Sequence, residues 1–174
     1  MATSIPIWRR EKGLALLDLL IAAMIMAILA VVAVPQLYSL IRDSKLNGSA
    51  NEVVAGLQYA CSLAVKYQRP FGLTADTTAN SFSVFDTAVP PTGDPPVNAA
   101  NIVLNPIDKT WYVKNFNQID AYQGVQIVST PAGGAVLFYP DGHTGVADSV
   151  FSVAYAARQK TITVSGPTGL VTVQ

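Results

Sequence analysis

Few residues in this chain have types that could do chemistry. His143 is the only histidine and follows Asp141-Gly142, a turn signature. Acid–base catalysis would need a positioned partner, and there is neither a second histidine nor a nucleophile motif. Cys61 is the only cysteine, so an internal disulfide framework and a multi-cysteine metal site are excluded. It falls on an apolar helical stripe, where a small buried residue is expected; a reactive thiol and an intermolecular disulfide are the other readings. Asp141 and Asp148 flank a glycine-containing turn and suggest a calcium loop, but the ligand spacing of an EF-hand is missing. No G-x-x-x-x-G-K-[ST] occurs, so the chain would not power its own assembly with a nucleotide. Arg158 and Lys160 are the only basic residues after Lys114, a poor footprint for nucleic acid. The expectation is no catalytic residue, no metal and no cofactor; an enzyme is disfavoured.

One ionisable residue is oddly placed. Asp18 is the single charge in the 21 residues from Leu14 to Val34, a run long enough to cross a bilayer as a helix. A carboxylate there costs up to roughly 3 kcal/mol at mid-bilayer. A position in the first turns of its own helix would offset part of that cost. Of the 174 residues, 51% are hydrophobic and 13% charged, and mean hydropathy is +0.36, which disfavours disorder and a wholly cytosolic enzyme. Lys+Arg and Asp+Glu are both 11, so no bulk charge draws the whole chain to nucleic acid or to an anionic surface. Before the apolar run, Arg9, Arg10 and Lys12 outweigh Glu11, which predicts a cytoplasmic N-terminus with the remainder across the membrane. A cleaved secretory signal fits poorly: the run is about twice an ordinary h-region and no A-x-A site follows it promptly.

Beyond Pro35, Leu37, Leu40, Ile41, Val53, Val54, Leu57, Cys61, Ala64 and Val65 recur mostly at three- and four-residue steps. This predicts one long helix from about Leu14 to Gln68, bent near Pro35, possible to loosen at Asn47-Gly48-Ser49, and stopped by Pro70. About 55 residues at 1.5 Å each span roughly 80 Å, far more than a bilayer needs. The second half must therefore lay its apolar stripe on something, most simply a sheet. Short β-branched runs follow at Phe71–Thr74, Ser81–Phe85, Asn101–Leu104, Val125–Val128, Ala135–Tyr139, Val150–Tyr155, Thr161–Val164 and Leu170–Val173. A proline-rich loop covers Ala88 to Pro96, Ser165–Gly169 reads as a hairpin turn, and Trp111, Tyr112 and Phe116 are candidate core anchors.

Glu11-Lys12-Gly13 followed by Leu14-Ala-Leu-Leu-Asp18 resembles the class III, or type IV prepilin, signal. That family has a short basic leader ending in Gly, an acidic residue at the fifth position of the mature helix and commonly a proline at its twenty-second, where Pro35 stands. Two departures are visible: Leu14 replaces the usual Phe, and Asp18 the usual Glu. The resemblance implies that a prepilin peptidase cuts between Gly13 and Leu14 and methylates the new amino group of Leu14. It also gives Asp18 and Pro35 roles in assembly. Leu57 to Pro70, the Phe138-Tyr-Pro-Asp-Gly142 segment and a closing hairpin at Thr161–Val173 are similar to the GspH/FimT family of minor pilins. Where that family's helix usually reads Ala-Arg-Ser-Glu-Ala, this chain has Ala60-Cys-Ser-Leu-Ala64. The loss of both charges implies a more buried face or one covered by a neighbouring subunit.

The expected fold is α+β, a long N-terminal helix with a transmembrane and an amphipathic half packed on a C-terminal antiparallel β domain. The expected division is a leader at 1–13, a transmembrane and assembly helix at 14–35, and a periplasmic globular domain at 36–174 (helix 36–69, β region 71–174). The resemblance implies a single-pass inner-membrane precursor of a minor pilin or pseudopilin, which initiates, caps or joins a type IV pilus or a type II secretion pseudopilus. Its partners would be prepilin peptidase, other pilin or pseudopilin subunits, an inner-membrane assembly platform and membrane lipid. Nucleic acid is not an expected partner. Two alternatives stand beside this reading: a signal-anchored periplasmic binding module or adhesin whose helix is only a tether, and a DNA-binding minor pilin in DNA uptake.

Overall fold

The computed structural model describes residues 8–88 and 101–174. A single helix, α1 (Trp8–Tyr67), precedes all the strands. The chain divides into two units, one ending at Ile41 and the other running from Arg42 to Gln174.

In the first unit the described side chains lie on the outside of the helix. Leu16, Leu20, Met24, Ile28, Val31 and Leu37 are exposed, and so are the other described apolar residues such as Leu17, Leu19, Ile21, Ile25, Met26, Leu29 and Val34. By length and composition α1 can cross a membrane.

In the second unit α1 buries one face. Leu46, Ala50, Val53, Leu57, Ala60 and Ala64 alternate steps of four and three, keeping each side chain over the one before it. This seam lies one residue to the side of the expected stripe at its C-terminal end: Ala60 is buried while Cys61 is half-buried, and Ala64 is buried while Val65 is exposed. The reason is steric. Alanine at 50, 60 and 64 and glycine at 56 let the helix axis approach the strands. A Cβ on Gly56 would meet Leu73 Cδ1 at 2.8 Å and Phe82 Cε2 at 2.9 Å. Helix ends are less negotiable: Gln68 takes a positive φ of 55° past the last helical residue, and Pro70 follows.

Among the described residues eight antiparallel strands follow: β1 (Phe71–Asp76), β2 (Ser81–Asp86), β3 (Val113–Asn115), β4 (Gln126–Ser129), β5 (Ala135–Phe138), β6 (Ser149–Tyr155), β7 (Arg158–Val164) and β8 (Val171–Val173). They form two four-stranded sheets, in the orders β3-β2-β1-β5 and β4-β6-β7-β8. The chain crosses to the second sheet at β4 and returns to the first at β5, where Phe71 pairs with Phe138. It crosses again to β6 and finishes as a meander. All six phenylalanines are buried, and the inward residues of both sheets form one core with the helical seam. Each fully buried side chain of this size contributes about 1.5–3 kcal/mol.

The structure bears out the α+β class and seven of the eight expected runs as strands. Asn101–Leu104 makes only isolated bridges, Ile102 with Phe85 and Leu104 with Trp111. The third strand is instead Val113–Asn115. Of the three aromatic anchors, Tyr112 and Phe116 are buried, but Trp111 is half exposed. The proline-rich loop from residue 89 onward lies outside the described residues.

Two readings of the helix are corrected. It starts at Trp8 rather than near Leu14, because Arg9 to Lys12 are good helix formers and no proline stands between Trp8 and Pro35. It also continues without a break through Asn47-Gly48-Ser49. Gly48 is a contact point: a Cβ there would meet Tyr122 Cε1 at 2.8 Å. Ser49 is buried and donates its hydroxyl to the Leu46 carbonyl at 2.9 Å.

Candidate functional site

The residues singled out for processing and assembly, Gly13, Leu14, Asp18 and Pro35, all lie on α1. Asp18 is exposed, flanked by exposed Leu17 and Leu19. Because the helix begins at Trp8, Asp18 sits in its third turn, too deep for the N-terminal dipole to act on it. The surroundings of Gly13, Leu14 and Pro35 lie outside the described residues.

The remaining candidates are structural. His143 stacks on Tyr139, ring centroids 4.7 Å apart, and its Nδ1 pairs with the Asp141 carboxylate. That hydrogen bond, more than charge, holds the Asp141 carboxyl below its usual range. Asp148 faces elsewhere: its carboxylate accepts from the Gly166 N–H at 3.0 Å. The two aspartates do not converge, and among the described residues no group of three or more His, Cys, Asp or Glu could hold a metal. Cys61 is half-buried in a groove of about 760 Å³ between the last turns of α1 and the Thr168–Val171 segment. Burial pushes its thiol up, away from the nucleophilic thiolate. Arg158 pairs with Asp43, so it is already engaged.

The Phe138–Gly142 segment and the closing hairpin prove to be one assembly. Tyr139 N–H donates to the His143 carbonyl at 3.0 Å, and Gly142 N–H to the Tyr139 carbonyl at 2.9 Å, closing the turn. Thr144 N–H then donates to the Gly166 carbonyl at 2.8 Å. Gly169, at a φ of 64°, has no room for a Cβ against the Gly142 carbonyl, and Gly166 has none against the Val146 carbonyl. The turn is thus a backbone-to-backbone buttress for the last two strands.

Asn80 is the residue that sequence reasoning missed. It is buried at a φ of 52° and closes the β1–β2 turn. Its side-chain amide donates to the Val125 carbonyl at 2.7 Å and to Asn117 Oδ1 at 2.9 Å. Its Oδ1 accepts from Ile127 N–H at 2.9 Å. One side chain therefore ties the first sheet to the start of the second. The available signal was an asparagine closing a short turn between two strands.

A family model, Type II transport protein GspH, matches residues 49–169, more than half of the chain. Among solved structures, the type IV minor pilin FimU of Pseudomonas aeruginosa is similar at 17% identity with a TM-score of 0.50, covering 74% of this chain and 87% of FimU. The minor pseudopilin EpsH from the Type 2 Secretion System of Vibrio cholerae is similar at 14% identity with a TM-score of 0.50, covering 75% and 96%. No curated protein matches this chain. At these identities the two structures speak for the fold, which is that of pilin-type structural subunits. Helix, two sheets and turn-buttressed closing hairpin agree with the match over residues 49–169: the chain belongs to the GspH family of pilin-like proteins.

Proposed function

We propose that this protein is a membrane-inserted minor pilin or pseudopilin precursor, cut between Gly13 and Leu14, methylated on Leu14, and built into a type IV pilus or a type II secretion pseudopilus. The observation that carries this reading is the bare apolar surface of α1 from Leu16 to Ile41, interrupted by the single charge of Asp18. In the precursor that surface belongs in lipid, with the Arg9–Lys12 cluster on the cytoplasmic side and the strands in the periplasm. In a filament it would pack against the same segment of neighbouring subunits. Removing thirteen residues would make Asp18 the fifth residue of a shortened helix. Its carboxylate then gains the N-terminal dipole that it lacks three turns inside the intact one. The positive amino group of Leu14 on a neighbour becomes a counter-charge, and pairing with it would set the axial register between subunits.

The test is processing followed by incorporation. Intact mass of protein from its native membrane should show thirteen residues missing and one methyl gained. A bulky residue in place of Gly13 should block the cut. Asp18→Ala should be cut normally yet enter filaments poorly, and Asp18→Glu should restore entry. A retained leader in cells that have the peptidase would favour the plain tether and defeat the pilin reading.

A further inference from the structure

A second groove, of about 530 Å³, opens where α1 ends, between Lys66–Phe71 and the Val103–Lys109 segment. It brings together Lys66, Arg69 and Lys109 with one carboxylate, Asp86. Arg69 Nη2 takes that carboxylate at 2.5 Å. Lys66 lies over the Tyr67 ring at 5.1 Å, and Lys109 Nζ donates to the Pro106 carbonyl at 2.9 Å. Neither lysine has a carboxylate partner among the described residues. The groove therefore keeps two uncompensated positive charges.

Its apolar rim is held in place. Asn105 is buried; its N–H donates to the Thr110 carbonyl at 2.8 Å and its Oδ1 accepts from Ile107 N–H at 3.0 Å. Lys109 N–H donates back to the Asn105 carbonyl at 3.1 Å, with Lys109 at a φ of 58°. This fixed loop carries Ile107 at its tip, 89% exposed, beside half-exposed Leu104 and Trp111. A rigid loop presenting apolar side chains next to unpaired cations is complementary to a partner that carries apolar and acidic side chains together.

From this we infer that the groove docks an extended acidic segment of another protein, carboxylates meeting Lys66 and Lys109 and apolar side chains meeting Leu104 and Ile107. A single-stranded nucleic acid is the competing occupant, but it needs free aromatic faces. Here Tyr59 is stacked on Tyr112, Phe71 is buried, and Tyr67 is engaged by Lys66 and Arg69. Trp111 is half exposed but does not line the groove; inside it only charge and aliphatic contact remain, which suits a peptide. The inference needs only the folded unit from Arg42 onward and stands whether or not the chain enters a filament.

The test is fluorescence anisotropy on the full chain in zwitterionic micelles, with empty micelles as blank. The probes are a labelled hexapeptide alternating glutamate and leucine, its lysine–leucine counterpart, and a short oligothymidylate. The glutamate peptide should bind most tightly. Lys66→Glu with Lys109→Glu should weaken it by about tenfold or more. Lys66→Arg with Lys109→Arg should retain it, and so should Lys160→Glu, which reverses a charge elsewhere. Both lysines are exposed, so circular dichroism should show the fold unchanged. Failure of the glutamate peptide to bind, equal binding of the lysine peptide, tighter binding of the oligothymidylate, or indifference to the charge reversal would each overturn the inference.

Discussion

Leu20 and Leu57 are the same side chain on the same helix, yet Leu20 is 68% exposed and Leu57 is fully buried. From Leu19 to Val34 every residue is apolar, so no face of the helix beyond Asp18 is distinguished from another. Around Leu57 the seam of small and apolar residues is backed by Glu52, Gln58 and Ser62, and one face alone meets strands. The contrast shows that hydrophobic content sets how much surface must be covered, while its arrangement around the axis decides what covers it. An all-round apolar helix needs lipid or a bundle of its own kind; a one-sided helix can be satisfied by its own chain.

Truncating each leucine tests that contrast most directly. Leu57→Ala should lower the urea unfolding free energy of the globular unit by about 3 kcal/mol, since the site sits between closely packed strands and helix. Leu20→Ala should change the same transition by less than about 0.5 kcal/mol. Equal losses from both would mean that the two units share one core, and the comparison would be broken.

A smaller effect sharpens how the second unit holds itself together. Asn80→Ala removes three side-chain hydrogen bonds and leaves the Val125 carbonyl and the Ile127 N–H without that partner. A cost of about 2–3 kcal/mol is expected by the same urea measurement, and Asn80→Asp should be nearly as damaging because it keeps the acceptor but loses the donors. Were the alanine variant neutral, the sheets would be joined by apolar packing alone.

The smallest effect is at the start of the second unit. Arg158 and Asp43 form an exposed ion pair just past the Ile41 boundary. Arg158→Ala should shift the urea midpoint by less than either variant above, and by still less in high salt, where screening has already removed most of the pairing.

Much of this was legible because it depends on local pattern. The length of the apolar run, the proline that ends the helix and the alternation of most strands follow from residues close together in sequence. The third strand was not, since Val113–Asn115 is too short to show a period and takes its place from pairing with Ser81–Ser83 on β2. Nor was the seam: Ala60 and Cys61 are both small, and only the packing of the helix on the strands, closest at Gly56 against Leu73 and Phe82, decides which faces inward. The motif at Phe138–Gly142 was visible as a motif, but its purpose was hidden because its partners, Gly166 and Gly169, lie a strand pair away. For the proposed processing and assembly site, the order of charges, glycine, Asp18 and Pro35 along the chain is wholly a matter of sequence.

The amino-acid order therefore settles the membrane-scale helix and most of the strands, since periodicity and propensity act over a few residues at a time. Contacts distant along the chain settle the rest. Asn80 reaching Val125 and Ile127, Tyr122 lying over Gly48, and Lys66, Arg69 and Lys109 lining one groove are arrangements that no local pattern encodes. They exist because two sheets and a helix must share one core, and closing it brings those side chains within reach.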